Sequence, residues 1–150
     1  MATSVYLTNP FSAGTGYALV VGSAAFNPAD GTSYYAGALS YSVPSAVPGF
    51  TSIRAPRSGI VTGVYLTSLV LGALGSAENV SVAVVNSTQV TSEVVTASLQ
   101  WTAAGVTTQA TGLTLAVTAG DLLDLSFTTP TWVTNPTTVI VWASLWVQTV

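Results

Sequence analysis

From Gly59 to Leu71 the chain alternates, with Ile60, Thr62, Val64 and Leu66 set against Val61, Gly63, Tyr65 and Thr67. A period of two sends successive side chains to opposite faces of a strand. The same signal returns along the chain. Asn79–Val85 places Val80, Val82 and Val84 on one face, and Gln89–Trp101 carries Val90 and Val94 on one face but Val95, Ala97 and Leu99 on the other. That change of face predicts a bulge. Leu113, Leu115 and Val117 mark a short strand, followed by Leu122–Thr128 and Thr138–Val147. The connections carry turn chemistry: Gly72 to Ala77, Asn86-Ser87-Thr88 and Ala119-Gly120-Asp121. Asn tolerates positive φ, and Ser, Thr and Asp bond nearby backbone through their side chains.

The last strand breaks the usual division into a dry and a wet face. Val139, Val141, Ala143, Leu145 and Val147 fill one side, and Ile140, Trp142, Ser144 and Trp146 the other. An antiparallel strand with one side in water shows polar residues there. Either the strand is covered on both faces within the subunit, or Trp142 and Trp146 pack against another protein, as aromatics do at interface cores.

The first part of the chain differs. Asn9-Pro10, Gly14-Thr15-Gly16, Asn27-Pro28-Ala29-Asp30-Gly31 and Val43-Pro44 through Pro48-Gly49 interrupt any pattern. Only Tyr17–Val21 and Ala38–Val43 read as short strands. The predicted organisation is an extended N-terminal arm over residues 1–43, a Pro-rich connector over 44–57 and an antiparallel β-sandwich body over 58–150. The fold class is all-β.

Composition narrows the function. The 150 residues hold two cations, Arg54 and Arg57, and five carboxylates; Lys, His and Cys are absent. Only 5% of residues are charged, against about 25% in a soluble domain. Charge normally keeps proteins apart in water, so this surface predicts burial against other protein. Two arginines cannot follow a phosphate backbone, which excludes nucleic acid as a partner. Ser58–Ala77 is uncharged and about long enough to cross a bilayer, but its Gly, Ser and Thr content and unbiased flanks argue against a membrane helix. Without His, Cys or Lys the common nucleophile–base pairs cannot be built, so the expectation is no enzyme, no cofactor and no metal. Asp121 and Asp124 fall on opposite faces of a strand and do not converge as an acid–base pair. Asp121 reads as a turn residue bonding its own backbone. Sugar binding through exposed Tyr34, Tyr35 or Trp132 has no spacing to support it.

Arg54 and Arg57 flank Ala55-Pro56 at the junction of arm and body. They either sit solvated, one paired with Glu78 or Glu93, or bridge to a neighbouring protein, as Arg does at interfaces. The expected interface residues are therefore Arg54, Arg57, Trp142 and Trp146.

Three segments carry a resemblance. Arg57-Ser58-Gly59-Ile60-Val61-Thr62-Gly63-Val64-Tyr65-Leu66 opens a strand, Val82-Ala83-Val84-Val85-Asn86-Ser87-Thr88 resembles a V-x-V-x-N-G-T hairpin with Ser87 in place of Gly, and Leu115 to Leu125 resembles V-x-V-x-A-G-D-x-L-x-L with Leu115 in place of the first Val. From about Ala55 to Val147 the chain resembles the jelly-roll domains of phage virion proteins and of bacterial collagen-like heads, similar in fold to trimeric heads of the C1q and tumour-necrosis-factor type. It lacks a collagenous stalk. The resemblance implies a homotrimeric jelly roll with no catalytic residues. The expected function is a capsid decoration (cement) protein on the outer surface of a tailed-phage virion, its partners being itself and the major capsid protein. The alternative is a receptor-binding fibre head or tail tip recognising a host glycan or protein.

Overall fold

The structure is a computed structural model that describes residues 15–38, 44, 47–49 and 51–150. Nine strands follow in order: β1 Gly16–Gly22, β2 Ser33–Ala36, β3 Ile53–Arg54, β4 Gly59–Val70, β5 Val80–Asn86, β6 Thr91–Leu99, β7 Gly105–Val117, β8 Leu122–Thr128 and β9 Val139–Thr149. There is no helix among the described residues. One sheet runs β1-β9-β4-β7 and the other β2-β8-β5-β6, with β3 on β8 beyond the end of β2. Every pairing is antiparallel. The fold is all-β and sandwich-like.

Alternation builds the core. Val64 and Leu66 of β4 and Val141, Ala143 and Leu145 of β9 meet Val80, Val82 and Val84 of β5 and Leu123, Leu125 and Phe127 of β8 in one buried cluster. Trp101 lies fully buried at the end of that core. Its ring centroid is 6.0 Å from that of Trp132 and 6.3 Å from that of Phe127, and its Nε1–H donates to Ser68 Oγ at 3.0 Å. Truncating such a residue costs about 3–5 kcal/mol.

Several expectations change. Strict alternation through β4 fails at Thr62. Registers with both β7 and β9 shift between Val61 and Gly63, so Val61 and Val64 both point inward while Ile60 and Tyr65 face out. The bulge expected in the β5–β6 region is present as register shifts between Val80 and Val82 and between Val82 and Ala83. The short strand at Leu113–Val117 is the end of a 13-residue strand.

The described part of the expected arm is built into the sheets. Tyr17, Leu19 and Val21 face the core, and β1 pairs with β9 over seven residues, from Gly16–Gln148 to Gly22–Trp142. β2 pairs with β8 through Ser33–Thr128 to Ala36–Leu125. Breakers at 27–31 make a loop between these strands rather than a free arm, because the flanking residues keep a buried apolar face. Residues 1–14 and the expected strand after Ala38 lie outside the described residues. The connector is docked as well: Ile53 and Arg54 pair with Leu123 and Leu122, and Ala55 N–H donates to Asp121 O at 2.9 Å. Ser58–Ala77 is strand β4 and the loop after it. No helix among the described residues is long and apolar enough to cross a membrane.

Candidate interaction surface

Strand register places one set of side chains on the outer face of the β1-β9-β4-β7 sheet. Its rows are Gly16, Gln148, Ile60 and Ala116; Ala18, Trp146, Gly63 and Thr111; Val20, Ser144, Tyr65 and Gln109; Gly22, Trp142, Thr67 and Thr107; and, on three strands, Ile140, Leu69 and Gly105. None is charged. With strands about 4.8 Å apart and rows about 6.8 Å apart, the face covers roughly 500 Å². Apolar Ile60, Tyr65, Leu69, Ile140 and Trp142 are interleaved there with uncharged polar Thr67, Gln109, Ser144 and Gln148.

The two tryptophans singled out on this face behave differently. Trp146 is only 7% exposed. A Cβ added at Gly63 would lie 2.7 Å from its Cε3 and 3.1 Å from Ala110 O, so the ring occupies the space that Gly63 leaves at the β4 bulge. Its burial is supplied by its own subunit. Trp142 is half-buried, beside half-buried Thr67, Tyr65 and Ile140, with Val20 42% exposed at the next strand.

Arg54 and Arg57 lie at one end of the sandwich, apart from Trp142. Arg54 is exposed and its guanidinium donates to Gly120 O at 2.8 Å. The Arg57 carbonyl accepts from the Tyr17 hydroxyl at 2.6 Å. Burial pushes the Tyr17 phenol above its usual value, against the opposing hydrogen bond and the Arg57 charge. The carboxylates expected as arginine partners are occupied elsewhere. Glu93 accepts from Thr114 N–H at 2.7 Å. Glu78 accepts from Val133 N–H at 3.3 Å, beside loops at the opposite end.

The same end holds two carboxylate networks that sequence reasoning missed. Asp121 closes its own turn, as expected, by accepting from Thr118 N–H at 2.8 Å. The same oxygen also accepts from the Asn86 amide at 2.7 Å and the Gln89 amide at 2.6 Å. Burial alone would raise the Asp121 carboxyl, but the Thr118, Asn86 and Gln89 donors outweigh it and hold it below the ordinary carboxylate range. Asp124 points from the outer face of β8 and is fully buried. Its Oδ2 accepts from Ser87 Oγ at 2.6 Å, Ser52 Oγ at 2.7 Å and Gly49 N–H at 3.0 Å, while Oδ1 has no partner among the described residues. Three chain segments thus meet on one oxygen. Ser87, where the hairpin motif has Gly, is one of the three donors. The visible signal was Asp124 between Leu123 and Leu125 at an outward strand position, where a carboxylate in water needs no partner.

These groups tie the connector and two turns to the body. Among the described residues no group of three or more His, Cys, Asp or Glu could hold a metal ion. A cleft of about 390 Å³ opens beside Tyr35, Gly49, Ser87, Val90 and Ser126, with no charged residue in its lining. Trp132, expected as an exposed aromatic, is buried against Trp101. No protein-family model, curated protein or solved structure matches the chain.

Proposed function

We propose that the chain is a virion structural protein, a capsid decoration (cement) protein with a jelly-roll body that acts through protein–protein contacts. The observation that carries this reading is the uncharged outer face of the β1-β9-β4-β7 sheet. A standard interface takes about 800 Å² from each partner, so a face of roughly 500 Å² supplies most of one contact and leaves the rest to a further surface. That fits a protein holding both its own copies, as the expected trimer, and a larger capsid lattice. Burial at about 25 cal/mol per Å² drives association against the cost of lost freedom.

Strand order supports the jelly-roll reading. β1, β4, β7 and β9 share one sheet and β2, β5, β6 and β8 the other. The chain changes sheet after β1, β3, β4, β6, β7 and β8, as in a double-sheet fold of Greek keys. Arg54 and Arg57, exposed at the connector end, are the cations available to carboxylates of a neighbouring protein.

Immunogold labelling of virions from the genome that encodes the chain tests the reading. Label over the head supports it. Label only at the tail tip favours the receptor-binding alternative, and unlabelled particles overturn the virion assignment.

A further inference from the structure

The sheet edges are not equally open. β1 is tied at one end, where Gly22 N–H donates to Gly37 O and Val21 bridges Ala38. β2 and β3 are only four and two residues long. β6 pairs through two register shifts, and bulges of this kind turn an edge away from partners. β7 is the long edge, and its two halves differ. Beyond the bulge, Thr114 N–H is taken by the Glu93 carboxylate at 2.7 Å and Ala116 O by the Asn86 amide at 3.2 Å.

The first half, Gly105–Thr111, has no such cap. Val70 N–H donates to Ala104 O at 2.9 Å, and the β4–β7 register runs unbroken from Gly105 to Thr111. Antiparallel bonding alternates, so Val106, Thr108 and Ala110 bond to β4. The N–H and C=O groups of Gly105, Thr107, Gln109 and Thr111 then point off the sheet, and none has a partner among the described residues. All four residues are exposed. The segment Gly-Val-Thr-Thr-Gln-Ala-Thr holds no charge and no Pro, the usual devices that block an edge.

We propose that β7 pairs with β7 of a second copy, antiparallel across a two-fold axis through Thr108. An uncharged strand meets its own copy without repulsion, and a two-fold contact satisfies the same groups on both sides. The outward groups fix the register: Gly105 faces the partner's Thr111 and Thr107 faces the partner's Gln109, about eight new hydrogen bonds in all. The two β1-β9-β4-β7 sheets then join, and their uncharged faces become one surface. The inference does not depend on the virion reading.

The test uses the full chain, which has no cysteine of its own. In the proposed register Thr108 faces its own copy as a non-hydrogen-bonded pair with Cα atoms about 4.5 Å apart, within disulfide reach. Thr108→Cys is expected to give a covalent dimer in nearly full yield on mild oxidation. Gln109→Pro removes only an edge donor that β4 does not use, so it is expected to fold and to weaken self-association at least tenfold in sedimentation equilibrium. A Thr108→Cys chain that stays a free thiol in the folded state, or a Gln109→Pro chain that associates as the wild type does, overturns the proposal. If Thr108→Cys does not fold, amide exchange of the unmodified chain decides: protection of Thr107 and Gln109 that rises with protein concentration supports the pairing, and concentration-independent exchange refutes it. Tyr65→Glu, on the sheet face, is expected to leave the disulfide yield unchanged, so failure of the face contact and failure of the edge contact are read separately.

Discussion

Replacing Asp124 with Ala removes the acceptor shared by Gly49 N–H, Ser52 Oγ and Ser87 Oγ. A hydrogen bond to a charged group contributes about 1.5–3 kcal/mol, and a buried donor left unsatisfied costs about 1–3 kcal/mol. The two hydroxyls can rotate to other acceptors, but the Gly49 N–H cannot, so the expected loss is about 3 kcal/mol rather than the full sum. For a chain of this size that is a fall in Tm of roughly 6–12 °C. Asp124→Asn behaves differently. Its oxygen can take the place of Oδ2 and keep all three donors, and its NH₂ then falls where Oδ1 has no partner among the described residues, so the loss is about 1 kcal/mol. Trypsin gives a local assay, because Arg54 and Arg57 are the chain's only Lys or Arg residues and both lie in the connector. If the loss falls on connector opening, about 3 kcal/mol raises native-state cleavage roughly a hundredfold in the Ala variant. Equal cleavage rates in wild type and Asp124→Ala would falsify the claim that this carboxylate holds the connector to the body.

Gly63→Ala should cost about 1–3 kcal/mol in chemical denaturation, since its Cβ would meet Trp146 Cε3 at 2.7 Å; a neutral result would mean the Trp146 ring is free to move aside. Val90 is 88% exposed with φ at 56°, a conformation costly for a β-branched residue, so Val90→Gly should raise stability by about 1 kcal/mol, and a lower Tm would contradict the strain. Asp121 has a folded-state pKa held below its ordinary value. The stability it contributes is therefore present above the unfolded pKa of about 3.9 and is lost as pH falls through the lower folded value. The Tm gap between wild type and Asp121→Asn should shrink below about pH 4; a gap that widens in acid would reverse the assignment.

Strand reading worked best where one face is densely apolar. Val80, Val82 and Val84, and the paired apolar faces of β9, announced central strands, and Ala119-Gly120-Asp121 announced its turn. It failed where the inward side chains are small or polar: Val106, Thr108 and Ala110 gave too weak a signal to mark the first half of β7. Tyr17–Val21 reads as a strand and is β1, but the breakers at 27–31 suggest an arm rather than a place in the sheet, and Ser33–Ala36, only four residues long, gives no readable alternation, so β2 was missed. Alternation could not locate the Thr62 bulge, since Ile60, Val61 and Val64 are apolar in either register. Of the expected interface residues, Trp146 owes its burial to Gly63, a contact set by strand register. Arg54 meets the carbonyl of Gly120, sixty-six residues on, and the Asp124 network joins residues as far apart as Gly49 and Asp124. Contacts at such separations follow from topology, which local patterns do not encode.

The most direct measurement is sedimentation equilibrium of the purified full chain over a range of concentrations, beside Tyr65→Glu on the uncharged sheet face. The expected result is an oligomeric wild type and a charge-bearing variant that keeps its fold but dissociates to smaller species. A wild type that stays monomeric at the highest attainable concentration, or an unchanged distribution in Tyr65→Glu, would contradict the claim that this face is covered by other copies of the chain.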